Sequence, residues 1–283
     1  MSLPTAGTRL RVSRQPTALG AYWGFAQRGF QRAITYRFQF WAELLINLLF
    51  MYIYVCLWRA LYTGRGAVAG YGRGQLLTYI VVSQTLITFQ FTVGAWRIIE
   101  TKVRSGEVAI DLVRPVDFQG MALATATGTA LHTLLTNMLP KFALFAAAGV
   151  AGRPASPLAA ALFPVSAALG FLVLFGIEFL IGVSAFWLVE VRGLYSLVMW
   201  GITGLLSGYF LPLEFFPRWL ATLARALPFP AMVYTPAAVY AGSIAGPAAI
   251  GAVLGQLAWV MVLLGAGRLL FGMAHRRLVV QGG

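Results

Sequence analysis

The sequence predicts an all-α membrane protein of six transmembrane helices, and three observations carry that prediction. The 283 residues are 59% hydrophobic and only 10% charged, with a mean hydropathy of +0.78. Such a balance belongs to a polytopic membrane chain rather than to a soluble domain with a large core. Six apolar stretches follow one another, each near the length needed to cross about 30 Å of hydrocarbon. Between the last two, SGYFLPLEFFPRWLATLARALPFPAMVYTPAAVY (residues 207–240) holds five prolines, many aromatics and three charges. A soluble loop would be more polar, and a plain span would not tolerate prolines so closely set. The segment 212–246 therefore reads as a bent, re-entrant helical hairpin at one membrane face.

Taken in order, the chain opens with an arm, residues 1–37. Within it Leu19, Tyr22, Trp23, Ala26, Phe30, Ala33 and Ile34 recur at helical spacing, while Gln27, Arg28, Gln31 and Arg32 fall opposite. This pattern predicts an amphipathic helix lying in the membrane interface with its arginines toward headgroups. The apolar stretches then run over 38–61, 76–96, 120–139 (extensible to 150), 160–189, 194–211 and 248–271. The fourth is too long for an upright span, so it must tilt, kink near Gly176 or Gly182, or project from the bilayer. Residues 38–283 thus form one transmembrane domain behind the arm. No cleavable signal is expected, because the first long apolar run begins near Phe38 and exceeds a signal-peptide core.

Six spans place both termini on one side, and the basic residues say which. Arg9, Arg11, Arg14, Arg28, Arg32, Arg37, Arg97, Lys102, Arg104, Arg114, Arg192, Arg268, Arg276 and Arg277 share the terminal face. The other face has Arg59, Arg65, Arg73, Arg153, Arg218 and Arg225. The positive-inside rule puts both termini in the cytoplasm and the Pro-rich hairpin outside. The net charge of +13 is then membrane-surface charge rather than a nucleic-acid footprint. These features fit a prokaryotic plasma (inner) membrane.

The loop after the second span, WRIIETKVRSGEVAIDLVRPVD (residues 96–117), is the other informative segment. Ile98, Ile99 and Val103 make a short apolar stripe, and Glu100 precedes Arg104 by four residues, the favourable order on a helix. Gly106 suits a helix C-cap, and Pro115 biases Arg114 out of helix before the third span. A short charged helix at the membrane surface is what docking to a cytoplasmic partner needs, though any polytopic protein can carry a basic, punctuated loop here.

Two runs together add to this. Gly106-EVAIDLVRPV resembles the cytoplasmic loop of ABC-2-type transporter permeases, and SGYFLPLEFFPRWL…LPFPAMVYTPAAVYAG resembles the same family's signature between its fifth and sixth spans. The resemblance is closest to short permeases whose genes often stand as adjacent pairs, and it covers most of the chain. It implies six spans per subunit, two subunits per transporter (a second copy or a related permease) and a separate ATPase on each. ATP and Mg would sit on that partner, with no cofactor on this chain. Arg97 to Leu112 would then contain the helix seated in the ATPase cleft, with Gly106 at its turn. Glu100, Lys102, Arg104 and Glu107 would be its exposed polar contacts, while Asp111, Arg114 and Pro115 would fix the return into the membrane. The external gate would be drawn from Pro212, Glu214, Phe215, Phe216, Pro217, Trp219, Pro228, Pro230 and Pro236.

Other chemistry has little support. The chain has no GxxxxGK[ST], so an ATP motor must be another polypeptide. Cys56 is alone, and His132 and His275 have no neighbouring acids, so metal binding and catalysis are not indicated. His132 reads as a packing residue and His275 as a headgroup contact. Glu178 is the one acid well inside a span; it either lines a transport path or is hydrogen-bonded within the bundle. Lys141 is expected near the outer face, snorkelling, too far away to pair with it. Glu43 and Asn47 read as structural or interfacial. Gly201, Gly204, Gly208, Gly251 and Gly255 give small-xxx-small spacings, read as packing within one subunit or, more sharply, across a dimer.

The function that follows is the permease subunit of an ATP-driven exporter for a hydrophobic or amphipathic compound, drug-like or lipid, with membrane lipid and no nucleic acid among its contacts. An ion-coupled secondary transporter using Glu178 is the alternative. It would favour several intramembrane acids and paired interrupted helices.

Overall fold

The computed structural model describes residues 18–34, 37–64, 66–112, 116–188 and 190–281, and its regular elements are helices. Helix α1 (Ala18–Ile34) precedes α2 (Arg37–Leu61), α3 (Arg73–Leu86) and the short α4 (Thr88–Thr92). A turn at Gly94 leads into α5 (Ala95–Ser105), and Gly106 separates it from α6 (Glu107–Leu112). Next come α7 (Phe118–Thr133), a π-helical segment (Leu134–Met138) and α8 (Leu139–Ala147), then α9 (Pro157–Val183) with a 3-10 turn at Ser184–Phe186. A second broken run joins α10 (Arg192–Tyr195), a π-helical segment (Ser196–Ile202) and α11 (Thr203–Leu206). Three short helices, α12 (Arg218–Arg225), α13 (Phe229–Met232) and α14 (Tyr234–Ala241), lead to α15 (Pro247–Gln281).

Among the described residues, four stretches are long and apolar enough to cross a membrane: Leu44–Leu61, Arg73–Ser105, Pro157–Phe186 and Pro247–Ala274. The third and fifth stretches of the sequence-based expectation differ from these in a physical way. α7 and α8 form one helical run interrupted by a π-helical segment, and the α10–α11 run covers only 192–206. Fifteen residues of ideal helix rise about 22 Å, less than the hydrocarbon core.

The chain nonetheless runs to and fro between two ends of one bundle. At one end lie Gly94, the α5–α6 turn and the start of α7; at the other lie Tyr71, Gly152 and the short helices α12–α14. Tyr54 of α2 donates to the Phe210 carbonyl at 3.0 Å, and Tyr240 of α14 donates to the Gly152 carbonyl at 3.2 Å. Phe118 stacks on Phe271 at 4.5 Å, which brings the start of α7 to the far part of α15. Helix α9 runs through the middle, with α5, α13, α14 and α15 all packed on it.

Close packing depends on where side chains are missing. On α9, a Cβ at Gly176 would lie 2.7 Å from Leu263 Cβ, and one at Gly182 would lie 2.8 Å from Ile99 Cβ. These glycines admit neighbouring helices, and α9 stays helical through both. In contrast Gly204, Gly251 and Gly255 meet nothing within 4 Å, and Gly201 meets only Leu197 of its own run. Gly208 differs: a Cβ there would lie 2.8 Å from Tyr234 Cβ, so packing within the subunit accounts for one of the five positions and leaves the other four without a neighbour from another helix.

The amphipathic helix of the arm also differs from expectation. α1 lies along α7, from Tyr22 at the Asp117 amide (3.3 Å) to Phe30 edge-on against His132 (5.3 Å). A Cβ at Gly128 would fall 1.9 Å from the Ala26 carbonyl, so only glycine lets the two backbones meet there. Phe25 and Gly29 become the buried positions and Trp23 is left 65% exposed, which rotates the buried face away from the apolar stripe. His132 is a packing residue, as its position suggested.

Candidate functional site

The residues singled out between 97 and 115 fold into a helix–turn–helix. Gly106 takes φ +75° and closes α5 through its N–H to the Val103 carbonyl (3.3 Å), the C-cap that a left-handed residue supplies. Glu100 and Arg104 pair at 3.5 Å across one turn. Lys102 bonds Asp111, tying α5 to α6 across Gly106. Two expected polar contacts are therefore committed inside the turn: the Glu100 side chain is 13% exposed and that of Lys102 24%. What faces outward is Arg97, Thr101, Arg104, Ser105, Glu107 and the apolar Ile110. Arg114 and Pro115 lie outside the described residues.

The base of this turn sits on α9. Ile99 is buried against Gly182, and the Ala95 N–H donates to Glu178 Oε2 at 2.6 Å. Glu178 is fully buried, and its Oε1 has no hydrogen-bond partner among the described residues. Of the two alternatives for Glu178, the structure has it hydrogen-bonded within the bundle. It lies nearer the helix end than expected, because α9 stops at Val183 rather than continuing to 189. Trp96 stacks on Tyr195 of α10 at 4.3 Å, and the Tyr195 hydroxyl donates to the Gln90 carbonyl at 3.3 Å.

At the opposite end, the prolines explain themselves by position. Pro212, Pro217 and Pro228 sit at the N-caps of a 3-10 turn (Leu213–Phe215), of α12 and of α13; Pro230 and Pro236 fall in the first turns of α13 and α14. These are the places where a missing N–H costs nothing. Pro212, Pro230 and Pro236 are buried, Phe215, Phe216 and Pro228 half-buried, and Pro217 and Trp219 exposed.

Glu214 is the hub here. It accepts from Tyr71 (3.2 Å) and from Tyr234, and lies 3.5 Å from Arg225. Burial, with this carboxylate beside it, raises the Tyr71 hydroxyl above the ordinary phenol value, so it stays a donor. The irregular backbone after α11 has four consecutive carbonyls met by donors from elsewhere in the bundle. The carbonyls of Ser207, Gly208, Tyr209 and Phe210 accept from the Tyr234 amide (3.0 Å), Tyr79 (2.6 Å), Gln84 (3.1 Å) and Tyr54 (3.0 Å). Unpaired backbone of this kind is tolerated at membrane depth only when protein meets it in this way.

A family model described as ABC-2 family transporter protein matches residues 48–282, a range that takes in both the α5–α6 turn and the Pro-rich helices. The chain belongs to this family. It is a multi-pass membrane protein, the permease component of an ABC transporter and not itself the catalytic part; permeases of the family generally work with ABC ATPase partners. A search of curated proteins finds no significant match.

Four features of this ABC-2 permease had no warning in its sequence. Lys141 does not snorkel: it is 1% exposed and donates to Thr88 Oγ1 (2.6 Å) and the Gln84 carbonyl (3.0 Å) inside the bundle. The expectation that it cannot pair with Glu178 holds, since each has other partners. Gln256 of α15 joins α9 to α13, accepting from Ser166 (2.7 Å) and donating to the Ala231 carbonyl (2.7 Å). An apolar cavity of about 460 Å³ opens between α3–α4, α7–α8 and α9, lined among others by Leu86, Phe89, Leu134, Phe142, Pro164 and Phe171. A cavity of about 440 Å³ beside Glu214, Arg225, Tyr234, Gln256 and Trp259 is more polar.

Proposed function

We propose that the chain is the membrane-spanning permease subunit of an ATP-driven exporter that moves a hydrophobic or amphipathic compound, a drug-like molecule or a lipid, outward. ATP and Mg act on separate P-loop ATPase subunits, and two permeases, identical or related, complete the transporter. The observation that carries this reading is the α5–α6 turn: its base is fixed by buried contacts while Arg97, Arg104, Glu107 and Ile110 face outward. A rigid helical turn with a mixed charged and apolar tip suits a cleft in a partner protein.

In this reading the six passes are α2, α3–α4, α7–α8, α9, α10–α11 and α15, in a prokaryotic plasma membrane. The coupling loop 97–118 and both termini are cytoplasmic, with α1 running in from that side along α7. The helices between 212 and 246 form an external re-entrant gate, with Glu214 holding its parts together. Nucleotide binding closes the ATPases, the turns move, and the membrane halves change their tilt. The partner can bias that change only by the difference in its affinity for the two membrane conformations. The exposed glycines Gly201, Gly251 and Gly255 are available to a second permease.

Isolating the protein from its native membrane in mild detergent tests the reading. A roughly stoichiometric P-loop ATPase, whose hydrolysis depends on this chain, is the expected companion. A permease that comes away alone, with transport that survives ATP depletion but not collapse of the ion gradient, overturns it in favour of ion coupling.

A further inference from the structure

The first N–H groups of a helix have no partner within it and are normally met by the side chain of the capping residue. At α5 the capping residue is Gly94, at φ +57°, with no side chain to offer. In an uninterrupted helix the Ala95 N–H would bond the carbonyl four residues back, at Phe91. It bonds instead to Glu178, a residue 83 positions away on α9. The backbone link from α4 into α5 is thus released, and a link from α5 to α9 stands in its place.

Everything else at this junction favours the second link. One turn along α9 from Glu178, Gly182 admits Ile99, and a Cβ there would also lie 3.1 Å from Trp96 Cα. Upward along the same helix, Ser166 bonds Gln256, which also bonds the Ala231 carbonyl of α13. A Cβ at Gly170 would fall 2.8 Å from the Met232 carbonyl. A single uninterrupted helix therefore touches α5 at one end and the Pro-rich helices at the other. From Glu178 to Ser166 it spans about 18 Å.

We propose that Glu178 is a positioning residue for energy coupling: it latches the N-terminus of α5 to α9, with Gly94 as the pivot against α4. A displacement of the α5–α6 turn then moves α9 rather than flexing back along α3–α4, and α9 carries it to α13. The coupling role rests on the exporter reading; the latch itself does not. A fully buried carboxylate with one oxygen on a backbone amide is a costly feature for packing alone.

Hydrogen exchange on the full-length permease in nanodiscs tests the latch without any partner. In Glu178→Leu, which removes the acceptor, exchange across 93–99 is expected to rise at least tenfold, with α7 and α15 unchanged. Glu178→Gln keeps a carbonyl oxygen and should stay near wild type. If the Leu variant loosens throughout, Glu178→Asp replaces it: one methylene shorter, it withdraws the oxygen from Ala95 and should accelerate 93–99 alone. Unchanged exchange at 93–99 in whichever of these variants folds overturns the latch.

The coupling role is read with the partner ATPase present, in a Cys56→Ser background carrying Thr222→Cys on α12. Trapping with ATP and vanadate should change the maleimide reactivity of that cysteine at least threefold. With Glu178→Leu, or Glu178→Asp where that variant replaces it, the change should vanish while the ATPase still copurifies and hydrolyses ATP; Glu178→Gln should restore it. A change that persists without the latch overturns the coupling role. Failure of the wild type to bind any ATPase overturns the exporter reading and the coupling role together, and the exchange result still decides the latch.

Discussion

At the α5–α6 end of the bundle, two residues of α9 seat a whole helix: Glu178 takes its first amide and Gly182 takes Ile99. At the α12–α14 end, four consecutive carbonyls are met by donors from α2, α3 and α14, and Glu214 gathers Tyr71, Tyr234 and Arg225 besides. Each end uses an acid to hold irregular structure, but one concentrates the task and the other spreads it. Concentration makes a joint that moves as a unit, whereas distribution makes a plug that resists single losses. The difference predicts that damage to the first end is large and local, and that damage to the second is smaller and shared.

The largest effect is expected from Gly182→Leu. The new side chain must displace Ile99 and the Trp96 backbone, and overpacking of this kind costs about 3 kcal/mol. Thermal unfolding of the purified permease should shift accordingly, and exchange in α5 should rise before exchange elsewhere. A variant as stable as wild type would mean that α5 has no fixed seat on α9.

Next comes Glu214→Leu, which strands the Tyr71 and Tyr234 hydroxyls, while the exposed Arg225 stays solvated. Leaving buried donors unmet costs about 2 kcal/mol. Because the backbone of 207–210 keeps its own donors, the loss should stay within α12–α14 and spare α5. Tyr79→Phe should cost less, about 1 kcal/mol, since it frees one carbonyl, Gly208, out of four. If either substitution unfolds the far end as well, the distributed picture is wrong.

How much of this was legible depends on whether the partner of a residue is a near neighbour. Gly106 as a C-cap and the Glu100–Arg104 pair are local facts, and each follows from spacing along the chain. The bond of Glu178 was invisible because its partner is a backbone amide on another helix, and amides leave no mark in a sequence. Lys141 was misplaced for a related reason. A lysine near the end of an apolar run suggests snorkelling, yet its acceptors come from Gln84 and Thr88, over fifty positions away. The fifth run ends at Leu206, short of the length its hydropathy promised, and nothing in SLVMWGI announces the π-helical segment it contains. Glycine was legible as small but not as facing: Gly128 and Gly182 receive neighbours while Gly204 and Gly251 receive none.

The smallest expected change in stability belongs to the tip of the α5–α6 turn, and for that reason it separates seat from surface most cleanly. Replacing Glu100, Arg104 and Glu107 together by alanine removes one pair of an exposed arginine with a mostly covered glutamate, worth about 0.5 kcal/mol, and one exposed carboxylate. Ala95, Ile99 and their contacts with α9 are untouched, so membrane insertion and the melting temperature should hold. Association with the ATPase should nevertheless weaken, because Arg104 and Glu107 are among the groups the turn presents outward. Retained association would take the tip out of the coupling assignment. Weakened association with an unchanged melting temperature would locate partner binding on the tip and transmission on the α9 seat.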